Sequence, residues 1–110
     1  MTIPPDSDLI FKICSQTVWD EISQREFWDG SSHDIADGFI HFSAESQLAG
    51  TLAKHYSGQS DLVLLAIDPL KLGDQLRWEV SRGGELFPHF YGPLPISAVL
   101  RVEKLPDQVG

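Results

Sequence analysis

Alternate residues of a β-strand share a face, so an extended stretch carrying Phe39, His41 and Ser43 sends all three side chains one way. Arg77 and Glu79 pair on a second stretch in the same manner, and Phe87, His89 and Tyr91 on a third. A purely hydrophobic core has no use for such pairs. Where the faces meet they enclose imidazoles, a guanidinium, a carboxylate and a phenol between aromatic walls, the general anatomy of a small-molecule site.

Each of these residues has a chemical and a structural reading. His41 can act as general acid or base or bind a hydroxyl, or it can be a buried imidazole bonded to a backbone carbonyl. Glu79 is a candidate acid, nucleophile or sugar-hydroxyl acceptor, its pKa raised if Trp78 desolvates it, or else one half of a cross-strand salt bridge. Arg77 can fork onto a phosphate or carboxylate, or pair with neighbours of Glu79. His89 and Tyr91 flank the break at Pro88, where they bind ligand or plug the end of the domain. Lys12, alone in an apolar stretch, neutralises an anion or snorkels to solvent, and Ser43 binds a hydroxyl or caps the helix that follows.

Other chemistries find less support. The four histidines, His33, His41, His55 and His89, show no tight ligand spacing and there is one thiol, so no metal site is expected. There is no nucleophile elbow, Cys14 reads as a small core residue, and Gly83 and Gly84 read as a hairpin turn rather than a phosphate cradle.

The elements that must position these residues follow from pattern. Residues 9–13 read as a first strand, and Thr17 with Asp20 as a capping box opening a helix over 17–27 through Val18, Trp19 and Ile22. Residues 28–37, rich in Gly, Ser and Asp, read as a covering loop, and 38–43 as a second strand. A second helix carries Leu48, Leu52 and Tyr56 and closes at Ser57 and Gly58. The apolar run 61–67 is the centre of the sheet, buried on both faces. Asp68 and Pro69 open a single helical turn that ends at Gly73. Leu76, Trp78 and Val80 alternate as a half-buried strand, Pro88 pushes 85–91 to an edge or bulge, and 98–104 is the last strand.

The whole is a small α+β domain with two main helices. It divides into a flexible arm at 1–8, one domain over 9–105 and a flexible tail at 106–110. Eight Lys and Arg against sixteen Asp and Glu give a formal charge of -8, which repels the phosphate backbone and argues against a polynucleotide partner. No run approaches the roughly 20 apolar residues of a membrane span. The single cysteine and the lack of a leader-like opening point to a cytoplasmic compartment.

Three motifs carry a family resemblance: Asp37-Gly38-Phe39-Ile40-His41-Phe42-Ser43, Leu76-Arg77-Trp78-Glu79, and Leu86-Phe87-Pro88-His89-Phe90-Tyr91-Gly92-Pro93-Leu94. With Phe11-Lys12-Ile13 and Trp19 they resemble, over residues 9–103, the bacterial and plant family catalogued as domain of unknown function 952. That family is similar in architecture to the ADP-ribosyltransferase-like fold, in which two small, split sheets flank a nicotinamide dinucleotide (NAD) cleft. The resemblance implies Lys12 where a first-strand His or Arg is usual, residues 41–43 at the second-strand position and Glu79 at the later carboxylate.

The expected ligand is a small molecule of nucleotide or ADP-ribose type. Lys12 and Arg77 would lie on phosphate, His41 and Ser43 on ribose hydroxyls, with His89 beside them and Tyr91 stacking. Glu79 and His41 would be the catalytic pair if the site is a transferase, Glu79 facing an oxocarbenium-like centre. The rival readings are a non-catalytic metabolite-binding module, and an interaction domain presenting Phe27, Trp28 and the loop to Asp37.

Overall fold

A computed structural model describes residues 8–109; Gly110 and all but the last residue of the expected arm at 1–8 lie outside the described residues. The continuous apolar run becomes strand β5 (Leu62–Ile67), buried at every position and flanked by β1 (Ile10–Ser15) and β9 (Val99–Lys104), both antiparallel to it. β4 (Ser43–Ala44) adds to the far side of β1, giving the order β4-β1-β5-β9. Strand alternation divides this sheet into two apolar faces. Ile10, Cys14, Val63, Leu65 and Ile67 face the main core, while Phe11, Ile13, Leu62 and Leu64 face helix α3 (Leu48–His55) through Leu48, Leu52 and Tyr56.

A second sheet has the order β3-β7-β6, from β3 (Ile40–His41), β7 (Leu86–Phe90) and β6 (Leu76–Val80). Ile40 and Phe90 pair across it and join the main core. The expected strand over 38–43 is in fact a corner. Its first half belongs to the second sheet and Ser43 to the first, with buried Phe42 turning between them and its N–H donating to Pro88 O at 3.0 Å.

Pro88 therefore lies in the central strand, not at an edge. Its carbonyl points to the side where β3 gives out, so the missing N–H falls on that side, where the ladder has already ended. β6 is the edge strand, and its apolar face is only partly covered, since Trp78 and Val80 are exposed beyond the end of the core.

Among the described residues there are three short α-helices rather than two main ones. α1 (Gln16–Ile22) begins one step earlier than expected, because Ser15 Oγ, not Thr17, accepts the Val18 N–H at 3.1 Å, and it stops at Ile22. The segment read as a covering loop, 28–37, contains α2 (Ser32–Asp37), and the two-residue strand β2 (Phe27–Trp28), which pairs with β8 (Leu94–Pro95), straddles its start and the expected end of the first helix. Trp28 is buried in the main core and so offers no interaction patch; Phe27 is exposed. Asp68 and Pro69 do cap and open a helical turn, with Asp68 Oδ1 accepting from Leu70 N at 3.0 Å, although Gly73 begins a second turn rather than ending the chain's helical stretch.

Past β9 the chain stays against its neighbours, Leu105 N donating to Leu62 O at 2.9 Å and Gln108 N to Gln59 O at 2.8 Å. Among the described residues, no helix is long and apolar enough to cross a membrane.

Candidate functional site

β1 alternation places Lys12 on the same face as Ile10 and Cys14, opposite Leu65, so its side chain enters the interior and does not snorkel. Asp34 of α2 meets it there. Lys12 Nζ lies 2.7 Å from Asp34 Oδ2, with the two side chains 8% and 0% exposed, and also donates to His41 O at 2.9 Å. Two of the three ammonium N–H groups, expected on phosphate, go to these partners.

Asp34 is the residue that sequence reasoning missed. It closes a capping box with Ser31, Asp34 N donating to Ser31 Oγ at 3.2 Å and Ser31 N to Asp34 Oδ2 at 2.9 Å. Its Oδ1 accepts from His41 N at 3.1 Å and from His41 Nδ1 at 2.6 Å. Burial alone would raise this carboxyl. The His41 hydrogen bond, the Lys12 charge and the Ser31 N–H outweigh burial and hold it well below the usual carboxylate range. Burial pulls the Lys12 ammonium down from its ordinary value, and the Asp34 charge opposes that pull.

An ionised Asp34 can only accept, so His41 carries a proton on Nδ1 and turns Nε2 outward. Nε2 lies 3.0 Å from Asp37 Oδ2, and His33 Nε2 is 3.5 Å from the same oxygen. The expectation that the histidines lack ligand spacing fails for this group: His33, Asp37 and His41 have ligand atoms within 4.8 Å of one another.

On the second sheet Arg77 stands opposite His89 and Glu79 opposite Phe87. Glu79 Oε1 accepts from Tyr91 OH at 2.6 Å and from His89 Nδ1 at 2.9 Å, while the Arg77 guanidinium lies 5.4 Å from the Tyr91 ring centre. The two hydrogen bonds, from Tyr91 first and then His89, lower the Glu79 pKa. Desolvation by Trp78 does not raise it, because Trp78 projects from the opposite face of β6. The same hydrogen bond raises Tyr91.

Phe39 joins the two halves. Its ring stacks on His89 at 4.3 Å between centroids and lies 4.6 Å from His41 and 5.1 Å from Tyr91.

A cleft of about 420 Å³ opens where α2 and α3 face the β3–β4 corner and β7. All four histidines of the chain line it, together with Ser43 and Phe87. Ser43 does not cap the following helix; it is a buried strand residue whose Oγ is 2.9 Å from Thr51 Oγ1. Arg77, Glu79 and Tyr91 do not line the cleft and connect to it through His89 and Phe39. His41, Ser43 and His89 are thus brought to one cleft that Lys12 and Asp34 also line, with Glu79 and Tyr91 behind His89 and Arg77 outside. The signal for Asp34 was present as Ser31-Ser32-His33-Asp34, the spacing of a capping box, in a segment whose Gly and Ser content spoke for a loop.

The family described as "Protein of unknown function (DUF952)" matches residues 13–102. The crystal structure of protein CC0527 from Caulobacter crescentus is 48% identical in sequence, with 92% of this chain and 91% of that chain covered at a TM-score of 0.86. A doubly methionine-substituted crystal form of CC0527 gives 47% identity at the same coverage and TM-score. Its solution NMR structure gives 49% identity over 89% of this chain and 84% of that one, at a TM-score of 0.79. No curated protein matches the chain.

Proposed function

Because the chain belongs to the DUF952 family of proteins of unknown function, its role is to be read from its own cleft, and we propose that this cleft binds a nucleotide or ADP-ribose-type ligand. One observation carries the reading. Two imidazoles, His41 and His89, line the same cleft, and each is oriented from behind by a carboxylate on Nδ1, Asp34 at 2.6 Å and Glu79 at 2.9 Å. A carboxylate behind an imidazole fixes its tautomer and makes its far nitrogen a better acceptor. Such nitrogens, beside the Ser43 and Thr51 hydroxyls, suit the adjacent hydroxyls of a ribose.

The size and charge of the site refine the proposal. A volume of about 420 Å³ is near the low end of the roughly 300–1,000 Å³ typical of small-molecule sites, which suits a nucleoside-sized end more than an entire dinucleotide. Lys12 is withdrawn into its pair with Asp34, so phosphates would extend outward to Arg77. Glu79, held in its charged form by Tyr91 and His89, suits an electrostatic stabiliser of positive charge better than a proton donor. That is the role the ADP-ribosyltransferase-like reading gives it, with NAD as the donor.

The test is a titration of NAD, ADP-ribose and adenosine followed by NMR of the imidazole resonances. Saturable shifts at His41 and His89 are expected; unchanged resonances with millimolar ligand would refute the proposal. Glu79→Gln then separates a transferase from a binding module. Loss of nicotinamide release with retained binding indicates the first, and no release from either protein the second.

A further inference from the structure

We propose that His33, Asp37 and His41 form a divalent transition-metal site at the edge of the cleft. The inference does not rest on the nucleotide reading, although the two share His41. His33 and Asp37 are one helical turn apart on α2, so their side chains share a face. Gly38 then ends the helix in a left-handed conformation, φ 86°, and turns the chain so that His41 comes back over that face. The pattern is His-x3-Asp-x3-His.

Both imidazoles turn a nitrogen toward one carboxylate oxygen, His41 Nε2 at 3.0 Å and His33 Nε2 at 3.5 Å from Asp37 Oδ2. Nδ1 of His41 is engaged by Asp34, so Nε2 is the nitrogen that faces the other two ligand atoms. A metal ion can take the place of ring protons among these three donors.

The spacing is near what a metal needs. Ligands about 2.1 Å from a tetrahedral ion lie about 3.4 Å from one another, and the two separations from Asp37 Oδ2, 3.0 and 3.5 Å, bracket that value. The widest separation, no more than 4.8 Å, closes by rotation of the His33 imidazole, whose side chain is 68% exposed.

Asp34 supplies the supporting shell. A metal-bound histidine characteristically donates its other N–H to a carboxylate, which fixes the ring and raises its basicity. Here that carboxylate is buried and itself held by Lys12 and Ser31 N. Two nitrogens and one oxygen select Zn²⁺, Co²⁺ or Ni²⁺ over Mg²⁺ and Ca²⁺, which prefer all-oxygen sites. Three protein ligands leave a coordination position for water or a ligand in the cleft.

The experiment takes the full chain after chelator treatment and dialysis, and titrates Zn²⁺ by calorimetry and Co²⁺ by visible absorption. One ion per chain is expected, with Mg²⁺ failing to compete. His33→Ala and Asp37→Ala, both at exposed positions, should each weaken binding by about tenfold or more while leaving the far-UV spectrum and melting curve unchanged. Nitrogen NMR should place the Zn²⁺-induced shift on His41 Nε2, with Nδ1 still protonated. No saturable binding at submillimolar metal would overturn the proposal, and so would binding that both variants retain at parental strength.

Discussion

Lys12 of β1 and Asp34 of α2 form a buried ion pair, 2.7 Å from Nζ to Oδ2, that ties the first sheet to the helix beside the cleft. Both charges have left water, and the remaining lone pairs of Asp34 are filled by Ser31 N and His41. Removing one partner of such a pair strands the other charge in the interior and costs about 3–5 kcal/mol. Asp34→Asn should therefore lower the urea-unfolding free energy by that amount. Lys12→Met combined with Asp34→Asn should recover part of it, because no lone charge remains, while the single amide oxygen can accept from His41 or from Ser31 N but not from both. The exposed pair Arg25–Glu21, with side chains 51% and 65% exposed, serves as the control; Glu21→Gln should cost less than about 1 kcal/mol.

The same carboxyl sets an acid limit. Asp34 in the folded chain titrates well below the usual carboxylate range, whereas in the unfolded chain it returns to about 3.9. Between those values the unfolded state binds the extra proton. Its stabilisation is thus complete above about pH 4 and lost as pH falls through the folded value. Glu79, also lowered by its hydrogen bonds, acts in the same direction from an exposed position. Urea midpoints measured from neutral pH down should fall steeply below pH ~4 in the parent and more shallowly in Asp34→Asn. Equal slopes would remove Asp34 from the account.

How much of this was legible follows from which forces are local. β5 could be read because six consecutive apolar residues, Leu62–Ile67, have no other use in a chain this short, and α3 because Leu48, Leu52 and Tyr56 recur at helical spacing. The i, i+2 rule put His41 with Phe39 and Arg77 with Glu79 on shared faces, since that rule depends on backbone geometry alone. The turn at Phe42 was not legible. Whether residues 38–43 form one strand or a corner between sheets depends on what Pro88 O and Phe11 offer them, both far away in sequence. α2 was hidden by its small polar residues, and with it Asp34, whose burial comes from Lys12 arriving from another strand. The destination of Lys12 was misread for the same reason: an isolated lysine in an apolar strand says that a partner is needed, not where it is.

The alkaline side is governed by acids that folding makes weaker. Burial pushes the Cys14 thiol up to about 11 and the Tyr56 phenol to about 12, and Glu79 raises Tyr91 through the hydrogen bond it accepts. Each of these groups keeps its proton longer when folded, so the stability it contributes is present below the unfolded pKa and lost as pH rises through the folded one. For Cys14 that window runs from about 8.5 to about 11. Neither tyrosine should ionise near pH ~10 in the native chain, and both should do so in urea, as read by phenolate absorbance. Cys14 should resist Ellman's reagent at pH ~8 until the chain unfolds. A fast native reaction would contradict its burial.

Gly30 tests the connection between fold and site from outside the polar network. Its φ of 95° lies in the left-handed region, and a Cβ there would meet Asp34 Cβ and Oδ2 at 2.7 Å and Ile40 Cγ1 at 3.0 Å. Gly83, φ 66°, has nothing within 4 Å of the same atom. Gly83→Ala should therefore cost only the left-handed backbone term, about 1–2 kcal/mol, whereas Gly30→Ala adds a clash of about 1–3 kcal/mol against a side chain that cannot move freely. Asp34 is fixed by Lys12, Ser31 and His41, so relief of the clash has to come from those bonds. Gly30→Ala should consequently shift the His41 Nδ1–H resonance, which Gly83→Ala leaves in place, and should weaken any ligand held by His41 Nε2. If both variants lose the same stability and neither moves that resonance, then Asp34 is not the rigid support of His41 that its three partners indicate.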